Sequence, residues 1–157
     1  MLGKLLVPFS LLGIGALLAA ALVFAGARPA QEALEGVIHV NVTGLRNEKG
    51  QIVCSLFSSA ADFPKKMEKA IAQVKAKISR GAAACEFSGI ASGTYAVSVF
   101  HDQNSNGKLD SNFLGIPREG VGASNDAKGR FGPPKFAAAA FQFSGGRIEL
   151  KIPIHYL

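Results

Sequence analysis

The stretch GTYAVSVFHDQNSNGKLD, residues 93–110, joins the clearest strand pattern of the chain to its most distinctive loop. In the first half, Tyr95, Val97 and Val99 alternate with smaller or polar residues, as in a strand with one face in a core. The same alternation places His101 at the end of that strand, on the face of the three apolar residues. The second half has no apolar period, and side chains that carry oxygen replace it.

These oxygens recur at alternate positions of the loop. A calcium loop of the EF-hand kind takes oxygens from positions one, three and five, turns at a glycine in position six, and uses a backbone carbonyl next. The residues that match this pattern, with a further carboxylate at position nine, are Asp102, Asn104, Asn106, Gly107, Lys108 and Asp110. The twelfth position, which should be a bidentate Glu, is Phe113, so the second half of the pattern is broken.

Two interpretations of this loop remain open. In the first, a divalent cation, most simply calcium, is bound by loop oxygens. Its ligands would be the side chains of Asp102, Asn104, Asn106 and Asp110, the carbonyl of Lys108, and Glu119 in place of the missing twelfth ligand. With so few carboxylates the dissociation constant would be on the order of 10⁻⁴ to 10⁻³ M. In the second, Asp and Asn side chains bond their own backbone and stabilise consecutive turns without an ion, with Gly107 in a left-handed conformation.

His101 raises the question of an enzyme. Beside Asp102 and near Glu119 and Ser124, it could serve as a base in an envelope hydrolase or a carbohydrate-acting enzyme. Ser124 lacks the sequence context of a nucleophile elbow, however, and no second histidine stands at a zinc-ligand spacing. A histidine that hydrogen-bonds its loop neighbours is therefore the preferred interpretation.

A ligand pocket beneath the loop is a further hypothesis. Its polar residues would be His101, Asn112, Ser124 and Asn125, and its apolar lining would be Phe113, Ile116 and Phe131.

Residues 1–27 have the features of a secretory signal. Lys4 supplies a positive start, residues 5–24 are an uncharged apolar run, and small residues follow at 25–27. An uncleaved membrane anchor is the alternative, because the run is long enough to span a bilayer. In either case we expect an extracytoplasmic protein, periplasmic or secreted, with residues 28–35 as a linker and residues 36–157 as one domain.

Cys54 and Cys85 are the two cysteines of the chain, and each lies in an apparent strand. Two thiols in an exported domain are expected to be paired. A bridge closing a loop of about 30 residues would stabilise the fold by roughly 3.5 kcal/mol in the chain-entropy model.

The formal net charge of the chain is +6 at pH 7. The basic residues are scattered, apart from a group between Lys65 and Arg80. We expect a solvated basic face there, with contact to an anionic envelope component as the alternative hypothesis. Aromatic residues are not interleaved with these cations, so nucleic acid is not an expected partner. Membrane association is expected only if the leader stays attached.

The remaining pattern is dominated by short alternating segments. Strands are predicted at 36–45, 51–57, 74–78, 83–87, 94–101 and 147–156, with a hairpin-type connection at 46–50 between the first two. Asp62, Phe63 and Pro64 are suited to the start of a short helix, and one or two helical turns are predicted at 135–141. Pro153 suggests that the last strand lies at a sheet edge or that this position faces outward.

Residues 102–134 have no sustained period of either kind. We expect an ordered surface loop whose apolar residues lie underneath it. The whole pattern predicts an all-β, antiparallel sandwich of about seven strands with one or two short helices and one long ordered loop, with a barrel as the alternative.

The order of several short motifs resembles a bacterial family of domains of unknown function, number 2141. The motifs lie at residues 42–45, 54–57, 63–64, 85–87, 93–97, 101–110, 112, 115–120, 124–125 and 131–134. The resemblance implies an exported bacterial protein of a Gram-negative envelope with a sandwich of the transthyretin or prealbumin type. The Gly93-Thr94-Tyr95 strand also resembles carboxypeptidase regulatory-like domains. No activity comes with the family.

Our leading hypothesis is a non-enzymatic, extracytoplasmic binding or structural module that carries an ordered loop with a calcium site. The hydrolase described above is the alternative. A third hypothesis is an anchored assembly factor, which requires that the leader is retained.

Overall fold

The computed structural model describes Gly3 and residues 34–157, so the predicted leader apart from Gly3 and most of the predicted linker lie outside the described residues. Residues 34–157 form eight strands: β1 Glu35–Thr43, β2 Gln51–Phe57, β3 Ala72–Ala76, β4 Ala83–Ala91, β5 Gly93–Asp102, β6 Val121–Ala123, β7 Phe141–Phe143 and β8 Gly146–Pro153. One α-helix, α1 Phe136–Ala139, occurs in this part of the chain, with 3₁₀ turns at Met67–Lys69 and Ser124–Asp126. None of the described helices has the length and apolar character needed to cross a membrane.

The strands form two sheets, which confirms the predicted all-β sandwich. One sheet has the order β4-β1-β8, and the other has the order β3-β2-β5-β6 with β7 also paired to β5. The sandwich is not wholly antiparallel, because β1 and β8 run parallel from Gly36 opposite Gly146 to Thr43 opposite Pro153. The edge position predicted for the last strand is confirmed.

The alternation of β1 positions the core. Ile38, Val40 and Val42 have no exposed surface, and they pack in one apolar cluster with Ile52 and Leu56 of β2. Each fully buried aliphatic side chain of this kind stabilises the fold by about 1.5–3 kcal/mol. The sandwich is therefore a rigid support for the loops at its ends.

The predicted hairpin at 46–50 is wrong. β1 pairs with β4 and β8, whereas β2 pairs with β3 and β5, so the connection crosses from one sheet to the other. Turn residues indicate that the chain reverses, but they do not determine which strand becomes the neighbour. The glycine that ends this connection, Gly50, has a φ of 72°, and a Cβ there would overlap the carbonyl oxygen of Asp102. The crossing is thus packed against the start of the long loop.

The predicted helix after Asp62 is reduced to the 3₁₀ turn. Phe63 turns inward instead and contacts Phe57 and Phe136 edge to face, with ring centroids 5.5 and 5.8 Å away. Ile71 is half exposed, and its amide donates to the carbonyl of Leu56 directly before β3 begins. Strand pairing overrode a local helical pattern here.

The disulfide between Cys54 and Cys85 is present, as predicted. It connects β2 of the larger sheet to β4 of the smaller one, and both cysteines are buried in the core between the sheets. The bridge therefore restrains the separation of the two layers.

We expect the double variant Cys54→Ala/Cys85→Ala to lose about 2–4 kcal/mol of unfolding free energy, because the unfolded chain regains the freedom of the closed loop. Urea unfolding followed by circular dichroism measures this. Reductant should lower the midpoint of the wild type and leave that of the variant unchanged. Equal midpoints for oxidised wild type and variant would contradict the stabilising role.

Candidate functional site

The long loop begins where β5 ends, opposite the start of β2. Asp102 is the last residue of β5 and stands in register with Gln51. His101 and Asp102 point to opposite faces of the strand, because successive side chains of a strand alternate. Neither residue has exposed surface.

The carboxylate of Asp102 organises the first half of the loop. Its Oδ1 accepts a hydrogen bond from the Asn106 amide at 3.0 Å. Its Oδ2 accepts from the Gly107 amide at 2.9 Å and from Nε2 of Gln51 at 2.7 Å. Gly107 has a φ of 75°, the left-handed conformation that the sequence predicts there. The loop is thus wrapped round a buried charge.

Glu119 performs the same task for the second half. Its side chain is buried, with Oε1 accepting from the Gln103 amide at 2.8 Å and Oε2 accepting from the Asp110 amide at 3.1 Å. The Arg118 amide also donates to the carbonyl of Asp110 at 2.9 Å. Hydrogen bonds to a charged acceptor contribute about 1.5–3 kcal/mol each. The two carboxylates therefore hold the loop from both ends.

Three further side chains meet on the outer side of the loop. Nδ2 of Asn104 donates to Oδ2 of Asp110 at 2.7 Å, and Nδ2 of Asn106 donates to its Oδ1 at 3.2 Å. The oxygens of the two amides accept from the backbone, Asn104 from the Asn106 amide and Asn106 from the Lys108 amide, at 3.1 and 2.7 Å. These are the side-chain-to-backbone turns of the second interpretation. In residues 34–157, no three His, Cys, Asp or Glu side chains are arranged to hold a metal ion.

Both ring nitrogens of His101 have partners. Nε2 lies 2.7 Å from the carbonyl oxygen of Lys49, and Nδ1 lies 2.6 Å from the hydroxyl of Tyr156. A carbonyl only accepts, so Nε2 carries the proton, and in the neutral ring Nδ1 accepts from the tyrosine. This histidine connects residues 46–50, which cross between the sheets, to the segment that follows β8. Its partners are distant in sequence and are not the loop neighbours that the preferred interpretation expects.

The residues of the predicted pocket have separate partners. The Ser124 hydroxyl donates to the Ala139 carbonyl at 2.6 Å and accepts from the Val97 amide at 3.0 Å. Nδ2 of Asn125 donates to the carbonyls that flank Ala139, those of Ala138 and Ala140. These two side chains attach the α1 segment to β5.

Asn112, the fourth residue of that prediction, serves its own turn: its Oδ1 accepts from the amides of Leu114 and Ile116. A shallow cavity of about 320 Å³ contains none of the four predicted residues and is lined instead by Lys128, Gly129, Arg130, Phe131, Pro133, Lys135 and Ala138.

The expectation that the apolar residues of the loop lie underneath it is wrong. Phe113 is 93% exposed, Leu114 68%, and Phe131 101%. The two buried carboxylates and their amide donors occupy the inside of the loop, so the space that apolar side chains would fill is taken.

Sequence reasoning missed three residues of the site. Gln51 bonds Asp102, Tyr156 bonds His101, and Oε1 of Gln103 accepts from the side chains of Arg46 and Asn47. All of these contacts join distant parts of the chain. The register of β2 with β5 would have indicated the contact between Gln51 and Asp102. The sequence alone does not determine that register.

A charge cluster lies on the outer face of the smaller sheet. His39 is paired in register with Glu86 on β4 and with Glu149 on β8. Arg147 reaches the carboxylates of Glu86 at 3.2 Å and Glu149 at 2.9 Å. The hydrogen bond from Arg147, followed by the imidazole of His39 at 3.4 Å, lowers the pKa of Glu86 below its ordinary value of 4.5.

A carboxylate whose folded pKa is lowered contributes stability above its unfolded pKa, and this is lost as the pH falls through the folded value. We therefore expect Arg147→Gln to flatten the decline of unfolding free energy between about pH 5 and about pH 3. Urea unfolding at stepped pH measures the slope. Arg130→Gln, which removes the same charge elsewhere, should leave the slope unchanged. An unaltered slope in Arg147→Gln would contradict the assignment.

The fold and the loop define a small, disulfide-linked β-sandwich module. Residues 40–151 match the model of a family described as an uncharacterized protein conserved in bacteria, DUF2141, and the chain belongs to this family. The resemblance seen in the sequence motifs is thereby confirmed. Searches of curated proteins and of solved structures found no match.

We expect Asp102→Asn to lose about 2–4 kcal/mol of unfolding free energy, because an amide nitrogen replaces one acceptor oxygen among three N–H donors. Urea unfolding measures the total loss of unfolding free energy, and hydrogen exchange at the Asn106 and Gly107 amides measures the local opening of the loop. The matched control is Asp110→Asn, at the outer side of the loop, which should lose less than about 1 kcal/mol. Equal losses in the two variants would refute the central position of Asp102.

Proposed function

We propose that the protein is an exported, non-enzymatic binding or structural module of the bacterial envelope, and that the loop from Asp102 to Glu119 is its working surface. The disulfide between the sheets is compatible with an oxidising compartment outside the cytoplasm. The observation that carries the proposal is that loop and strand donors bond both buried carboxylates, which holds the loop in one ordered conformation at the surface. N-terminal sequencing of the exported protein distinguishes a cleaved leader from a retained anchor.

The geometry around His101 favours a module over the hydrolase. A general base needs a free nitrogen within reach of substrate, whereas both nitrogens of His101 are bonded inside the protein. Asp102 lies on the opposite face of β5, and the hydroxyl of Ser124 is hydrogen-bonded to two backbone groups. These three candidate catalytic side chains thus have structural partners and no exposed surface.

We also propose that the outer side of the loop takes calcium weakly. Asn104, Asn106 and Asp110 already converge there, and a half-turn of each amide would direct its oxygen towards the carboxylate. Asp102, Lys108 by its carbonyl, and Glu119 would complete the oxygen set. The Lys75 ammonium lies close to Gly107, since a Cβ there would be 3.5 Å from its Nζ. This positive charge competes with a cation and supports a dissociation constant near 10⁻³ M, on the order of that of extracellular modules.

Calcium at about ten times its dissociation constant should raise the unfolding free energy by about 1.4 kcal/mol and the melting temperature by several degrees. Thermal melts from chelator to excess calcium measure the shift. Asp110→Asn should abolish it without loss of fold, and magnesium at the same ionic strength should give a smaller shift. No change in the wild type would sink the calcium site and leave hydrogen bonds as the loop's support.

A further inference from the structure

The loop carries a short apolar projection that neither the buried carboxylates nor the calcium proposal explains. Residues 112–116, here named the finger, rise between Ser111 and Pro117, which pair as a β-bridge. The finger presents Phe113 at 93% exposure, Leu114 at 68% and Ile116 at 44%. A soluble surface rarely concentrates three large apolar side chains within four residues unless they contact something.

Hydrogen bonds within the finger fix its shape. The Asn112 amide donates to the Ile116 carbonyl at 2.8 Å, and the Gly115 amide donates to the Asn112 carbonyl at 2.9 Å. The Asn112 side chain accepts from the amides of Leu114 and Ile116 at 2.9 and 3.0 Å. The amides of Leu114, Gly115 and Ile116 are therefore all satisfied internally. A peptide segment whose amides are already hydrogen-bonded costs less free energy to move out of water.

The surroundings of the finger are cationic. Lys108 and Arg118 are exposed on its two flanks, and exposed Lys75 reaches the loop at Gly107. Arg46 lies at the same end, bonded to Gln103 at 3.1 Å. Among the carboxylates of this end, Asp102 and Glu119 are buried and Asp110 is partly buried, whereas all four cations are exposed, so positive charge predominates at the surface. Residues 34–157 as a whole contain 15 Lys and Arg against 10 Asp and Glu.

We propose that the finger inserts its apolar tip into an anionic lipid surface while the flanking cations contact the headgroups. Amphipathic segments bind membranes by the same two contributions, buried apolar area and attraction to anionic lipid. A second copy of the chain is a poorer occupant. At about 200 Å² for a large side chain, three such residues cover less than the roughly 800 Å² per partner of a stable interface.

The absence of tryptophan from the sequence allows a direct test. Full-chain Phe113→Trp carries one reporter at the fingertip, and Phe131→Trp carries a matched reporter at a fully exposed phenylalanine outside the finger. Each is mixed with vesicles of phosphatidylcholine alone or of phosphatidylcholine with phosphatidylglycerol. We expect a blue shift and quenching by brominated lipid for Phe113→Trp on the mixed vesicles. The Phe131→Trp spectrum should not change. Vesicle binding through the leader alone would not distinguish the two reporters, so a change confined to Phe113→Trp locates the finger in the lipid.

Two sets of variants separate the apolar contribution to vesicle binding from the electrostatic one. Phe113→Ser/Leu114→Ser should weaken vesicle binding by the loop at least tenfold, because two apolar side chains are lost from the lipid. Lys108→Gln/Arg118→Gln should weaken it on the order of 25-fold, since each cation near an anionic surface is worth about fivefold. Binding is followed as the fluorescence change of Phe113→Trp, or of Ile116→Trp where Phe113 is replaced.

Several outcomes would overturn the proposal. They are an unchanged Phe113→Trp spectrum on mixed vesicles, an equal change in Phe131→Trp, or equal binding to vesicles without anionic lipid. A concentration-dependent shift of Phe113→Trp without vesicles would instead assign the finger to self-association.

Discussion

The buried carboxylate of Asp102 is the interaction on which the loop end of this molecule depends. A charge with no exposed surface costs several kcal/mol unless donors surround it, and here two loop amides and the side chain of Gln51 provide them. Those donors come from the loop itself and from the first residue of β2. The position of one side chain at the end of β5 therefore fixes the path of the chain that follows it.

This arrangement explains why the loop is built with its polar groups inside and its apolar groups outside. Asp102 and Glu119 occupy the interior together with the amides that bond them. Phe113 and Leu114 consequently have no interior to enter and remain in solvent. The usual burial of apolar side chains fails here because buried carboxylates and backbone amides fill the interior of the loop. The exposed tip of the loop is the consequence.

Much of the fold was predictable from residue patterns, because local alternation reports burial directly. The inward face of β1, the helical turns at α1, the edge position of β8 and the pairing of Cys54 with Cys85 all followed from patterns within a few residues or from compartment chemistry. Strand partnership did not follow. Residues 46–50 have hairpin composition yet cross between sheets, since both edges of β1 are taken by β4 and β8.

For the site, the sequence identified the backbone turns and the left-handed Gly107, which depend only on nearby residues. It did not identify Gln51 or Tyr156, which depend on register across the chain. Glu119 was expected to take part either as a metal ligand or in the hydrolase alternative. The structure adds two backbone amide donors to its carboxylate, which the sequence did not indicate.

The parallel pairing of β1 with β8 sets an order on the assembly of the sandwich. β1 is the first of the described strands and the middle strand of its sheet, and its parallel neighbour β8 lies far along the chain, with Gly36 opposite Gly146. Until Gly146–Pro153 has been synthesised, one side of β1 lacks its ladder and part of the core has no cover. The smaller sheet is thus completed only after β8 has been synthesised, and a chain truncated before residue 146 retains an open, adhesive edge.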